Sequence, residues 1–163
     1  MDKYNDIEFY DVIDDILSND EFLLLKGLEH HGITRYDHCL RVSYFTYKVT
    51  KFLHLNFIDA TRAALLHDFF FDLDSNKLSK LRRHPQVACN NALKYFELND
   101  MQEDIIKKHM FPITFTPPVY LESWIVDVID DVSAIFERGY ATKTVFYSLL
   151  HFLFLLIINF TMK

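Results

Sequence analysis

Glycine and proline are scarce, three and four residues among 163. So few turn formers argue against a β-sandwich or barrel, whose many short strands each need a turn. Cysteine is scarcer still: Cys39 and Cys89 are the only two, both among apolar residues at helical spacing. They read as reduced core thiols of a cytosolic protein, not as a disulfide framework. Positive charge is also in deficit. Seventeen Lys and Arg face 23 Asp and Glu, a formal net charge of −6. Binders of nucleic-acid polymers carry a basic patch or stripe, so that class of partner is not expected. The opening stretch "MDKYNDIEFYDVIDD" is acidic and lacks the apolar run of a secretory signal. No internal repeat, low-complexity tract, linker or sustained two-residue alternation is visible.

Apolar residues, in contrast, make up half of the chain, enough for one full core. Their spacing is helical nearly throughout. A first helix is predicted over Ile7 to Leu17 and a short second one over Phe22 to Leu28, stopped at Gly32. A long helix follows over Tyr36 to Leu53, with Leu40, Val42, Phe45, Val49 and Phe52 as its expected inner face. Asp59 is placed as the cap of a helix ending at His67. Pro85 is expected to open the next, with Val87, Ala88, Ala92, Leu93 and Phe96 inward. Asp100 is expected to cap "MQEDIIKKHM", which Pro112 ends. The "TPP" at 116–118 precedes a helix through Ile135, with Leu121, Trp124, Ile125, Val128, Ile129 and Val132 apolar. The expected fold class is all-α: a helical domain over residues 1–140, then an apolar C-terminal segment over 141–163.

That segment carries "VFYSLLHFLFLLIINF", Val145 to Phe160. It is nearly apolar all round, as buried helices are. At 16 residues it falls short of the roughly 20 that span a bilayer. Core packing, a homodimer face and membrane contact all stay open for it, so the expected location is cytoplasmic with membrane association as a variant.

The stretch "AALLHDFFFD" drives a small-residue helix straight into an adjacent imidazole and carboxylate. Burying either without a partner costs several kcal/mol. Of the eight histidines, His30, His31, His54 and His151 have no evident company. The other four sit at expected helix ends: His38 in "RYDHCLRV", His67 before Asp68, His84 in "RRHPQVA" and His109 in "IIKKHMFP". Acidic residues Asp127, Asp130 and Asp131 follow in "DVIDD". Ligands at helix ends leave a site open while packed helices fix its geometry. Histidine with carboxylate suits manganese, iron, zinc, cobalt or nickel.

The order His, His-Asp, His, His, Asp resembles the HD superfamily of metal-dependent phosphohydrolases, over about residues 30 to 137. "HGITRYDHCLRV", "AALLHDFF", "HPQVACNNA", "IIKKHMFP" and "SWIVDVIDD" are similar to a bacterial branch of small stand-alone HD proteins. The resemblance implies an HD-like helical bundle. It implies one or two divalent transition metals, the first held by His38, His67, Asp68 and a late Asp. His84 and His109 would hold a second, with Asp68 shared. Register favours Asp130 as the late Asp, with Asp127 and Asp131 as rivals. The implied activity is cleavage of a phosphate ester, in a small nucleotide or related phosphorylated substrate, by a metal-activated water in which Asp68 takes part.

Other residues are candidates to complete the site. Arg41 lies three positions after His38, on the same helix face, and either holds a substrate phosphate or is an ordinary surface arginine. Lys80, Arg82, Arg83, Lys107 and Lys108 either steer anions inward or form solvated faces. Asp72, four residues past Asp68, is a candidate proton donor to the leaving group. Phe69, Phe70 and Phe71 either stack a base or belong to the core. "HDFFFD" lacks the Gly-Lys that follows His-Asp in cyclic-di-GMP phosphodiesterases and the acidic pair of alarmone hydrolases, so neither activity is expected. The alternative classes are a di-iron HD-type oxidase or oxygenase and a non-catalytic metal-binding sensor or scaffold.

Overall fold

The structure is a computed structural model that describes residues 4–30, 33–71 and 76–137. Asp72, His31, His151 and the apolar stretch 145–160 lie outside the described residues. Helix α1 (Ile7–Leu17) is followed by a short α2 (Asp20–Leu23) and a 3₁₀ turn (Leu24–Gly27). Then come α3 (Arg35–Phe52), α4 (Phe57–Leu66), α5 (Lys77–Ala92), α6 (Asp100–Lys108) and α7 (Leu121–Glu137). Two strands of two residues each, β1 (Glu29–His30) and β2 (Ile33–Thr34), pair antiparallel ahead of α3. The all-α expectation holds; these four residues depart from it.

Local chemistry sets the helix starts. Asp6, Asn19, Thr34, Asn56, Asn76 and Asn99 each offer a side-chain oxygen to a backbone N–H in the first turn. Asn99 and Gln102 bond reciprocally in a full capping box. Asp59 and Asp100, expected as caps, therefore lie inside the first turns of α4 and α6, three residues past Asn56 and one past Asn99. There a negative charge still favours the helix N-terminus. Pro85 does not open a helix. It stands in the middle of α5, which Asn76 starts nine residues earlier.

The core gathers around α4, which packs on α1, α3 and α6. Phe9, Ile13 and Ile16 of α1 are fully buried, with Phe22, Leu25, Ala60, Ala63, Ala64, Leu65, Ile105 and Ile106. Each large side chain among them stabilises the fold by about 1.5–3 kcal/mol relative to exposure. The small residues of α4 allow close approach of α3 beside it.

Helices α3 and α7, which pack on each other, reverse the expected polarity. Leu40 and Val42 are buried as expected, but Phe45, Val49 and Phe52 are exposed, and so are Leu121, Trp124 and Val128. Arg35, His38, Ser43, Thr46 and Thr50 face inward from α3, and Ser123, Asp127, Asp130 and Ser133 from α7. Ser43 donates to the Thr61 carbonyl at 2.8 Å and Thr50 to the Thr46 carbonyl at 2.6 Å. The buried polar face exists because the ligand-bearing positions lie between the two helices. Apolar residues are displaced outward, where Phe45, Val49, Val128, Val132 and Phe136 line a groove of about 490 Å³.

Candidate metal centre

Five helices converge on one buried cluster. His38 sits in the first turn of α3; His67 and His109 cap the C-termini of α4 and α6; His84 is mid-α5; Asp130 is mid-α7. Asp68 directly follows the α4 cap. All six are buried. The helix-end expectation thus holds for His38, His67 and His109, whereas His84 and Asp130 project from helix interiors.

Backbone carbonyl acceptors orient three of the rings. His67 Nδ1 lies 2.7 Å from the Ala64 carbonyl, His84 Nδ1 3.1 Å from the Lys80 carbonyl and His109 Nδ1 2.8 Å from the Ile106 carbonyl. A carbonyl only accepts, so each Nδ1 carries the proton and each Nε2 directs a lone pair into the cluster. His38 Nδ1 donates instead to the Glu137 carboxylate, at 2.9 and 3.1 Å. Its Nε2 lies 3.3 Å from His67 Nε2 and 2.9 Å from Asp130 Oδ1. His84 Nε2 and His109 Nε2 are 2.9 Å apart, and Asp68 Oδ1 is 3.2 Å from the first and 3.7 Å from the second.

Two lone pairs facing each other at that distance repel unless a proton or a metal cation lies between them. Two nitrogens each about 2.1 Å from one ion, at angles between square and tetrahedral, stand about 3.0–3.4 Å apart. The His38–His67 spacing of 3.3 Å falls in that range and the His84–His109 spacing of 2.9 Å lies just below it. Asp68 Oδ1 is also buried without a hydrogen-bond partner, which is costly unless a cation satisfies it. Three overlapping triads have ligand atoms within 4.8 Å of one another: His38–His67–Asp68, His67–His109–Asp130 and Asp68–His84–His109. On each of these observations the residues fit a divalent metal.

The electrostatics divide the cluster. Burial works against a charged His38, but Asp130 and Glu137 outweigh it and raise its pKa to about 10. His67 is also raised, burial again being outweighed by Asp130 and Asp68. Burial disfavours the charged carboxylates of Asp68 and Asp130, yet the surrounding histidines hold both well below the usual carboxylate range. His109 goes the other way: burial and the neighbouring His67 and His84 push it down to about 3.

The segment after His67 is tied down on both sides. Buried Arg35 donates to the Phe70 carbonyl at 2.6 Å and lies 4.0 Å from the Phe70 ring centroid, while Asn91 donates to the Phe69 carbonyl at 3.1 Å. These donors hold the turn that presents Asp68. Phe69 is core, packed on Phe22 and Tyr95, and the Phe70 ring lies against His84 with centroids 4.8 Å apart. Both are buried, so base stacking by these two rings is not supported and the core reading is.

Asp127, the rival to Asp130, accepts from the Phe111 N–H at 3.2 Å and so ties α7 to the chain after His109. Burial, Asp131 and Asp130 push its carboxyl up to about 7. Arg41 shares the His38 face as expected, but its guanidinium bonds Glu137 at 2.7 Å. Lys107 and Lys108 pair with Glu103 and Asp104 one turn back, and Arg82 lies over the Phe115 ring. Sequence reasoning missed Glu137 and Arg35. Glu137 was findable: seven residues past Asp130, it falls on the same face of α7.

The family model for the HD domain matches residues 35–135. No curated protein and no solved structure matches the chain. The match covers more than half of the 163 residues and contains His38, His67, Asp68, His84, His109 and Asp130: the chain belongs to the HD domain family, a superfamily of metal-dependent phosphohydrolases.

Proposed function

We propose that this protein is a metal-dependent phosphohydrolase that cleaves a phosphate ester in a small phosphorylated substrate, such as a nucleotide. The observation that carries the reading is the gathering of four histidines and two carboxylates into three overlapping buried triads. His38, His67, Asp68 and Asp130 would hold one divalent metal and Asp68, His84 and His109 a second. When bound, the ions supply polarisation of phosphoryl oxygens and a lowered water pKa.

This chain's own residues do the rest. The Ala64, Lys80 and Ile106 carbonyls lock three rings so that no reorganisation is needed on binding. Arg35 and Asn91 hold the turn that sets Asp68 between both ligand groups. Phe70 closes one side of His84 against water. Two carboxylates offset only half the charge of two divalent ions, so the loaded site is cationic and suits an anionic substrate.

The test is elemental analysis followed by a phosphoester panel with added manganese, iron, cobalt, nickel and zinc. Metal-dependent turnover, lost on chelation and in His67→Ala, is the expected result. No turnover with any metal on a protein that binds metal overturns the reading. In that case absorption and spin spectra typical of two coupled irons would point to the oxidase class, and their absence to a sensor or scaffold.

A further inference from the structure

The contact that the metal-centre reading leaves unexplained is Glu137. Its side chain is fully buried at the end of α7, a position where a carboxylate disfavours the helix because the C-terminus is the negative end of the dipole. It lies two residues beyond the HD domain match. Both of its oxygens approach His38 Nδ1, and Oε1 also accepts from Arg41 Nη1. His38 is thus the one histidine of the four whose orienting partner is a charged side chain rather than a backbone carbonyl.

We propose that Glu137 is a positioning residue for metal binding: it fixes His38 with the proton on Nδ1 and the lone pair on Nε2, and Arg41 holds Glu137 in place for that task. The inference rests on the metal-centre reading. Its physical basis is geometric. A neutral imidazole coordinates through the nitrogen that lacks the proton, and a carboxylate on the other nitrogen fixes the tautomer, aims the ring and makes the ligand more basic. His67, His84 and His109 obtain the first two effects from main-chain oxygens at fixed distances along their own helices. His38, in the first turn of α3, obtains all three from Glu137 of α7. Arg41 is one turn along the same helix, so a single guanidinium neutralises the carboxylate that would otherwise be buried with an imidazole alone.

The consequence is that the role assigned to Arg41 moves from substrate to scaffold. It also explains why Asp130 and Glu137 share a face: one would ligate the metal and the other would hold its neighbouring ligand.

The experiment is a zinc competition against a chromogenic chelator on the full chain, with Glu137→Ala, Glu137→Gln and Arg41→Lys. Loss of a partner that orients a ligand typically costs 10–100-fold in metal affinity. Glu137→Ala is expected in that range. Glu137→Gln keeps an oxygen that accepts from Nδ1–H and is expected to recover part of the loss, as is Arg41→Lys. Parental zinc affinity in a folded Glu137→Ala protein overturns the proposal. If Glu137→Ala fails to fold, parental affinity in both Glu137→Gln and Arg41→Lys overturns it. Nitrogen-15 shifts of the His38 ring in zinc-loaded protein supply the second readout: an Nδ1-protonated, Nε2-coordinated ring in the parent supports the assignment, and the opposite tautomer overturns it. If the parent binds no zinc, the metal-centre reading falls. The ring shifts of the metal-free protein then decide the contact alone, a change in the Nδ1 signal on Glu137→Ala supporting it and an unchanged signal overturning it.

Discussion

The two halves of the cluster are built from the same residue types and behave differently. On the α3–α4–α7 side, His38 and His67 face Asp130, and His38 also has Glu137; their pKa values are raised. On the α5–α6 side, His84 and His109 face each other at 2.9 Å and share Asp68, with no hydrogen-bonded carboxylate on either Nδ1, and His109 is pushed down to about 3. The balance of burial and neighbours makes the difference: burial is outweighed at His38 by hydrogen bonds to Asp130 and Glu137, whereas burial, His67 and His84 outweigh Asp130 and Asp68 at His109. The first half can hold a proton where a metal would go, whereas the second has too little negative charge to do so at His109. A metal must displace a proton from one half, whereas in the other it relieves the repulsion between the facing lone pairs. Asp68 stands between them.

Removing that shared carboxylate should have the largest effect. Asp68→Ala takes a ligand from both proposed ions, so both are expected to be lost, with turnover falling about 10³-fold or more. That corresponds to several kcal/mol of transition-state stabilisation at 1.36 kcal/mol per tenfold. Elemental analysis and single-substrate kinetics on folded protein provide the check. Two ions retained would show that the halves do not meet at Asp68.

Separating the halves comes next. His84→Ala and His109→Ala are expected to lose one ion, keep the other, and drop turnover about 10²-fold, from the partial loss of the same stabilisation. Both side chains are buried, so each alanine leaves a cavity, but it also removes the Nε2–Nε2 repulsion. The melting temperature is therefore expected to stay near the parent's in metal-free protein. Loss of both ions from either variant would mean that the cluster binds as one unit rather than two.

These halves were unequally legible in the sequence. The His67-Asp68 pair and the spaced histidines could be read because the residue types are few and ordered. The structure brings the six candidates into three overlapping triads, and metal binding by them remains the proposal. Polarity patterns misled for a physical reason. Amphipathic reasoning takes the apolar face of a helix as the inner one, but α3 and α7 bury polar ligand positions such as His38 and Asp130 beside apolar Leu40, Val42 and Val126. Phe45, Val49 and Phe52 were placed inside on that rule and lie outside. Pro85 was taken as a helix start because proline favours the first turn, but α5 carries it in its interior, with Asn76 supplying the cap. Glu137 shares the Asp130 face, a local signal, but its partner His38 lies 99 positions away, and the face alone does not name that partner.

Proton balance gives a subtler contrast. With a folded pKa of about 10 against about 6.5 unfolded, His38 carries a proton at neutral pH in metal-free protein. Its contribution to stability is fully present below about 6.5 and is lost as the pH rises through 10. A metal must take that proton's place, so the first equivalent of zinc near pH 7.5 should release about one proton from this half, seen with an indicator in weak buffer. His109, already unprotonated at that pH, contributes none. Metal-loaded protein should not show the alkaline loss, since a bound cation replaces the proton. Zero release on the first equivalent would mean that the first ion enters the His84–His109 half.

The smallest effect concerns Asp127, which borders the first half without being aimed at its ligands' nitrogens. Its carboxyl is pushed up to about 7 by burial, Asp131 and Asp130, against about 3.9 in an unfolded chain. Raising a carboxyl pKa favours the protonated form in the folded state. Folding therefore loses stability as the pH climbs from about 4 through 7, and the loss is complete above that. Asp127→Asn keeps an oxygen for the Phe111 N–H and removes the charge. It should melt above the parent beyond pH 7 and level with it below pH 4. The gain should be a few degrees at most, because solvent screens part of the repulsion. Metal loading should shrink it further, since a cation on Asp130 cancels one source of repulsion. A gain that is the same at pH 4 and pH 8 would show that the substitution acts through packing, and that the carboxylate excess of the first half stops short of Asp127.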